Sequence, residues 1–394
     1  MKSFVFYISA VFIFIMATGT LMAQPEKKQW KEDKKNVVYL KDVKTKEITT
    51  EFACNANATV FLENIFRRVN VKLSNDNKVR LVTSIYYQGD PGFTDEEWLQ
   101  KLELRISGNA NNVVVKSGNL NLPGAKPELL AQKPVAPDQP VNAKTDSIAN
   151  GVAIFDSMGN WVNKKSNIKR NLILYIPANA KLDIDSKYSD IFLEENMKDL
   201  KVRINGGGLT MKDADKLVLN SIYGNIYAGK INDAELEITN GRLIATNIPR
   251  ADITSKSAGI EIGIAGQVTL NSTNDQIEIE ELGSVKGKKD YGDLRITSLK
   301  NSIDITGINA NIRIRSIEPA VSMVKIDDQY ADIRLSLTGI KNYNVDFEGT
   351  GGNVYASFEK TAVTESSFKA RVGDANAKPL IFQLKCNNCS VDFR

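Results

Sequence analysis

Between Leu182 and Leu337 the chain repeats one short phrase: two apolar residues flank a polar one, a small-residue corner follows, and the triplet returns. The copies read LDIDSKYSDIFL from 182, LVLNSIYGNIYA from 217, LEITNGRLIA from 236, VTLNSTNDQIEI from 268 and LRITSLKNSIDI from 294. Alternation over so few residues is the period of a strand. No single copy is large enough to bury its own apolar side chains, so the copies must stack. The two constraints together predict an all-β fold, a single-stranded β-helix or β-solenoid.

First apolar positions of successive strands fall at 182, 191, 200, 209, 217, 226, 236, 243, 253, 260, 268 and 277. The half-period is therefore roughly 7 to 10 residues and a full coil roughly 15 to 19. Within the strands, Leu182 and Ile184, Ile191 and Leu193, Leu217 and Leu219, Val268 and Leu270, and Leu294 and Ile296 are assigned inward. A beat near nine, and not the six of a left-handed hexapeptide helix, favours a right-handed, irregular solenoid. Ser186, Ser221, Asn240, Ser255, Ser272, Ser298 and Ser316 read as one row of small polar corner residues, broken by Ile204. Gly206-Gly207-Gly208 reads as a tight corner, since no phosphate-loop or calcium-repeat partners accompany it. GSVKGKKDYG (283–292) interrupts the period and is expected to protrude as a loop.

Upstream of the repeat, residues 1–23 have the form of a signal peptide: Lys2, an apolar stretch from Phe4 to Met16, and Ala23 before a cut at Gln24. The apolar run is shorter than the ~20 residues of a spanning helix, so no transmembrane segment is expected after its removal. Residues 24–120 form an N-terminal β region with runs such as ATVFLENI, VRLVTSIYY and NVVVK. DPGFTDEEWLQKL (90–102) marks a short helix there. Residues 121–150 carry Pro123, Pro127, Pro134, Pro137 and Pro140, and read as a mobile insertion or linker that no ladder can cross. Residues 151–394 form the solenoid domain with a C-terminal cap.

Lys and Arg number 51 against 47 Asp and Glu, a net charge of +4 that gives no reason to expect a nucleic-acid partner. The chain has no histidine, which removes Ser-His-Asp and Cys-His catalysis and His-ligated zinc. No catalytic, cofactor or metal residues are assigned. Asp183 with Asp185, Asp213 with Asp215, and Asp327 with Asp328 are the carboxylate pairs a β-helical polysaccharide lyase or hydrolase could use. Cys386 and Cys389, separated by two asparagines, are a disulfide candidate in an oxidising compartment, leaving Cys54 alone. Tyr188, Tyr223, Tyr291 and Tyr330 recur at corners and are candidates for an aromatic, ligand-binding face.

The corners Tyr-Ser-Asp (188–190), Tyr-Gly-Asn (223–225) and Tyr-Gly-Asp (291–293), the entry LILYIPANAKLDI and the opening strand ATVFLENIFRRVNVKL carry a family resemblance. The chain resembles a bacterial adhesin-like family, a domain of unknown function whose members include auto-transporter adhesin heads and GIN-like β-solenoids. The resemblance covers about 170–370 well and 40–120 loosely. It implies an exported, non-enzymatic β-solenoid of the cell envelope, in the periplasm, at the outer-membrane surface or outside the cell. Its partner would be an envelope protein or a glycan. A carbohydrate-active enzyme on a β-helix and an accessory sensor in envelope signalling are the alternatives.

Overall fold

Extended chain dominates the computed structural model, which describes residues 44–87, 92–118, 154–155 and 171–394. The expected signal peptide and the proline-rich segment 121–150 lie outside the described residues. Strands β1 (Lys44–Ala53), β2 (Thr59–Ile65), β3 (Arg68–Ser74) and β4 (Lys78–Tyr87) precede a short helix, α1 (Asp95–Lys101). The hairpin β5 (Leu104–Gly108) and β6 (Asn112–Ser117) follows, then β7 (Ile154–Phe155) and β8 (Asn171–Pro177). The repeats form β9 (Lys181–Leu193), β10 (Met197–Met211), β11 (Ala214–Thr239), β12 (Arg242–Lys256), β13 (Gly259–Ile317), β14 (Met323–Gln329) and β15 (Asp332–Leu335). The chain ends with β16 (Tyr343–Glu348), β17 (Asn353–Tyr355), β18 (Ser367–Val372), β19 (Leu380–Asn387) and β20 (Ser390–Phe393).

Parallel pairing turns the repeat into coils. Leu200 lies in register between Leu182 and Leu217, and Ile253 between Leu236 and Leu270, so a coil takes 17 or 18 residues. Every second residue of a strand then sits above its equivalent in the coil before. Leu182, Leu200, Leu217, Leu236, Ile253 and Leu270 are all buried, as are the other residues assigned inward. Each Leu, Ile or Val so buried contributes about 1.5–3 kcal/mol, and only because a neighbouring coil covers it. The fold is a β-solenoid.

Sequence order and stacking order part company at both ends. Val60 pairs with Leu182 on one side and Val113 on the other, while Val69 pairs with Ile191 and Leu172. The coil made by β2 and β3 therefore lies between β9 and a layer made of β6 and β8. At the other end Phe382 sits between Val324 and Val345, and Val391 between Ile333 and Val354. Strands β19 and β20 thus slot between two coils that both precede them in sequence. Antiparallel partners close the ladders beyond: β1 on β4 and β4 on β8, β5 on β6, and β18 on β16. Such strands cover parallel edges that would otherwise recruit other chains.

The expected helix forms at Asp95–Lys101 because Thr94 caps it reciprocally: its hydroxyl accepts from the Glu97 amide and the Glu97 carboxylate accepts from its own amide. Trp98 is its buried anchor, against Phe93 and Tyr87.

Two expectations are corrected. Residues 283–292 do not protrude: they run inside β13, with Val285 and Lys289 buried. Gly283 and Gly287 make this possible, since a Cβ at either would stand 2.3 Å from the Gly266 carbonyl oxygen or 2.0 Å from that of Leu270. The small-polar row is also shorter than supposed. Ser186, Ser221, Ser255 and Ser272 share an inward column, but Asn240 lies two residues past the column position, which Ile238 fills. Ser298 and Ser316 follow the second strand of their coils, beyond Ile296 and Ile314, at a different corner.

Candidate functional site

Each coil bends at one corner through a residue with positive φ, followed by a second at Gly207 and at Gly292. In stacking order the leading residues are Phe66, Tyr188, Gly206, Tyr223, Asn240, Ser257, Asn274, Tyr291, Asn309, Tyr330, Asn388 and Gly351, with φ between 52° and 72°. The amide at this position donates to the next coil, from Phe66 to Lys187, from Asn240 to Lys256 and from Tyr330 to Asn387, so the bend is built into the ladder. Asn and Gly tolerate the left-handed region; for other L-residues it costs about 1–2 kcal/mol. Yet five of the twelve positions are aromatic.

All four tyrosines singled out from the sequence therefore lie on one ridge, with exposures of 50% at Tyr188, 60% at Tyr223, 49% at Tyr291 and 57% at Tyr330. They do not stack on one another. One coil separates Tyr188 from Tyr223, and one separates Tyr291 from Tyr330, so those pairs stand about 10 Å apart at the ~4.8 Å spacing of strands. Three coils lie between Tyr223 and Tyr291, a gap of about 19 Å. Phe66, which sequence reading missed, stacks on Tyr188 with ring centroids 5.4 Å apart.

Beneath the ridge runs a column of buried polar side chains. At one end Asn64 Nδ2 donates to Ser189 Oγ at 2.8 Å, and Ser186 and Ser189 share a hydrogen bond of 2.6 Å. Further along, Asp275 gathers four donors: Ser255 Oγ at 2.7 Å, Ser272 Oγ at 2.6 Å, the Thr273 amide at 3.0 Å and the Ala258 amide at 2.6 Å. Lys289 takes the serine position in the next coil and donates to the carbonyls of Asp275, at 3.1 Å, and Tyr291. Burial holds its ammonium below the usual lysine range, against the pull of Asp275, Asp293, Asp290 and Asp328. Asp328 is also buried. Its Oδ1 accepts from the Gln329 amide at 2.6 Å, its Oδ2 has no partner, and burial pushes its carboxyl up to about 6. One coil further on, Cys386 and Cys389 are bridged across the same corner with Cα atoms 5.7 Å apart.

The carboxylate pairs do not make a reactive site. Asp183 and Asp185 bracket Arg203, at 2.8 and 3.8 Å. Asp328 points inward while Asp327 is outward, and Asp213 and Asp215 serve separate hydrogen bonds, to the Lys230 amide and Asn232. An open groove of about 370 Å³ near Met211 and Tyr227 is lined by a single acid, Asp213, where glycoside hydrolysis needs two. Among the described residues no group of three or more Cys, Asp or Glu is placed to hold a metal ion. No helix among them is long and apolar enough to cross a membrane.

Comparison with curated proteins returned no match. Among solved structures, the chain is similar to a candidate cell adhesion protein from Clostridium sporogenes, at 9% identity, covering 89% of this chain and 99% of that one, with a TM-score of 0.20. A candidate adhesin from Bacteroides fragilis matches at 11% identity over 89% and 97% of the two chains, with a TM-score of 0.27. A candidate lipid-binding protein from Parabacteroides distasonis matches at 8% identity over 90% and 97%, with a TM-score of 0.28. Scores this low carry no argument about function. The family comparison is decisive: residues 138–381 match the Toastrack DUF4097 family, which spans more than half of the chain, and the chain belongs to that family.

Proposed function

We propose that this chain is an exported, non-enzymatic, adhesin-like solenoid of the bacterial cell envelope that holds an extended glycan along its positive-φ ridge. One observation carries the reading: the exposed rings of Tyr188, Tyr223, Tyr291 and Tyr330 occupy a row whose backbone favours Asn and Gly. Rings kept exposed at a conformational cost call for a use that packing does not supply. Sugar faces stack on such rings, and spacings of about 10 Å within each tyrosine pair and about 19 Å between the pairs let one extended chain touch all four without bending. The signal-like residues 1–23 support export. The isolated or ion-paired carboxylates support a binding role over hydrolysis.

The test is binding of the full chain to envelope polysaccharides, by affinity electrophoresis, beside a variant with all four tyrosines replaced by Asn. Binding that the variant loses supports the reading. Binding that survives the replacement, or turnover of any polysaccharide, overturns it. Cell fractionation with an antibody tests export, and a cytoplasmic chain would defeat that part.

A further inference from the structure

Three consecutive coils leave the ridge with the same spacing of polar residues. Tyr291, Asp293 and Arg295 lie on alternate residues, as do Asn309, Asn311 and Arg313, and then Tyr330, Asp332 and Arg334. Arg313 pairs in register with Arg334, and Asn311 bonds to Asp293 of the coil before, so the three arginines stack on one face. The outer two are neutralised at home. Arg295 donates to Asp293 at 2.8 Å, and Arg334 reaches both oxygens of Asp332, at 3.2 and 2.6 Å.

The middle coil differs in two places at once. Where its neighbours have tyrosine, it has Asn309, which leaves a gap between two rings about 10 Å apart. Where they have aspartate, it has Asn311, whose amide donates to Asp293 at 3.0 Å and whose oxygen accepts from the Asp332 amide at 3.3 Å. Arg313 is left with no hydrogen bond or ion pair among the described residues, half-buried between two like charges. A free guanidinium in that setting favours an anion, and its planar fork matches a carboxylate.

We propose that the cleft between Tyr291 and Tyr330 takes a uronic-acid residue of a glycan, its ring lying between the tyrosines and its carboxylate on Arg313. This rests on the glycan reading of the ridge and names the sugar class. The surroundings argue against a polyanion such as nucleic acid, which carries a charge on every unit. Asp293 and Asp332 flank the free cation, and Glu278 and Asp392 end the arginine row, so the face accepts one negative charge and repels a run of them.

Titration calorimetry of the full chain with a neutral oligosaccharide carrying a single glucuronic-acid residue and with its methyl ester, which keeps the backbone but removes the charge, tests the proposal. The acid form should bind about tenfold more tightly. Arg313→Gln should abolish that preference, while Arg250→Gln, which removes a distant outward charge, should keep it. Equal binding of the two forms, a preference surviving in Arg313→Gln, or tighter binding of single-stranded DNA overturns the proposal. Equal binding that replacement of the tyrosines abolishes leaves the ridge reading intact, whereas binding of neither form sinks both.

Discussion

Asp328 stands two coils from Lys289 in one inward column, and Gly307 is the only column residue between them. A Cβ at Gly307 would lie 2.0 Å from the Lys289 carbonyl oxygen and 2.9 Å from Asp328 Oδ2, so only glycine fits between the two buried ionisable groups. Lys289 uses its ammonium on the carbonyls of Asp275 and Tyr291, and Asp328 Oδ2 is left unpartnered. That arrangement stabilises the neutral carboxylic acid, because the cost of burying the charge outweighs the backbone hydrogen bonds that favour the carboxylate.

Stability should therefore fall with pH through Asp328. Its folded pKa of about 6 lies above the usual carboxylate value, so the folded state binds the proton more tightly than the unfolded chain. Its contribution is fully present below about pH 4 and is lost as pH rises through 6, an effect of up to about 3 kcal/mol. Asp328→Asn should match the wild type at pH 4 and exceed it at pH 8 by about 1–3 kcal/mol in urea unfolding. Parallel pH profiles for the two proteins would refute this account of the column.

Asp275 is the opposite case, a buried carboxylate with four donors. Asp275→Ala strands two serine hydroxyls and two amides, and should cost about 3 kcal/mol or more. Ser272→Ala leaves the other three bonds in place and should cost about 1 kcal/mol. If denaturant midpoints for the two variants coincide, the network is not the unit inferred here.

The ridge tyrosines should trade stability for binding. Tyr223→Asn and Tyr330→Asn each place a residue tolerant of positive φ where an aromatic now sits, at φ of 56° and 60°. Each should leave stability unchanged or raise it by about 0.5–1 kcal/mol while weakening glycan binding. Tyr188→Asn loses the stack on Phe66 and should gain less. A clear fall in melting temperature for Tyr223→Asn would show that the ring is structural.

Much of this was legible in the sequence because strand alternation survives wherever one face is buried. The inward assignments for Leu217, Leu219, Val268 and Leu270 needed only period two and a stacking rule. Lys289 was not legible, because a lysine and two glycines look like a solvated loop until the ladder shows glycine seated against carbonyls and the lysine stem filling a serine site. The insertion of β19 and β20 between earlier coils was hidden for another reason. A sequence period records the shape of each coil and not its place in the stack, and Phe382 fits between Val324 and Val345 as well as any neighbour in sequence would. The four tyrosines were found by composition at corners, but that they share one row with Phe66 depends on register.

The register itself can be broken or spared at will. Leu219 is buried in the stack, whereas Glu237 is exposed and accepts from Asn220 at 2.6 Å. Leu219→Asp should unfold the solenoid or cost more than about 4 kcal/mol, and Glu237→Lys should stay within about 1 kcal/mol of the wild type. Similar losses in both variants by denaturant unfolding would mean that inside and outside have been exchanged.

The three cysteines should behave as a bridged pair and a hidden thiol. Cys386 and Cys389 sit on the corner of the inserted final coil, and non-reducing peptide mapping should find them joined to each other. The loop they close is so short that the chain-entropy gain is small, so a Cys386→Ala, Cys389→Ala double variant should lose only about 1–2 kcal/mol. Cys54 is buried at the end of β1, and burial pushes its thiol pKa up, so both access and thiolate fraction are low. Alkylation of Cys54 at neutral pH should therefore wait for unfolding and follow the same denaturant midpoint as the loss of strand signal. Rapid labelling of the native chain, or Cys54 linked to either partner in the peptide map, would show that the N-terminal strands do not seal the end of the stack as described.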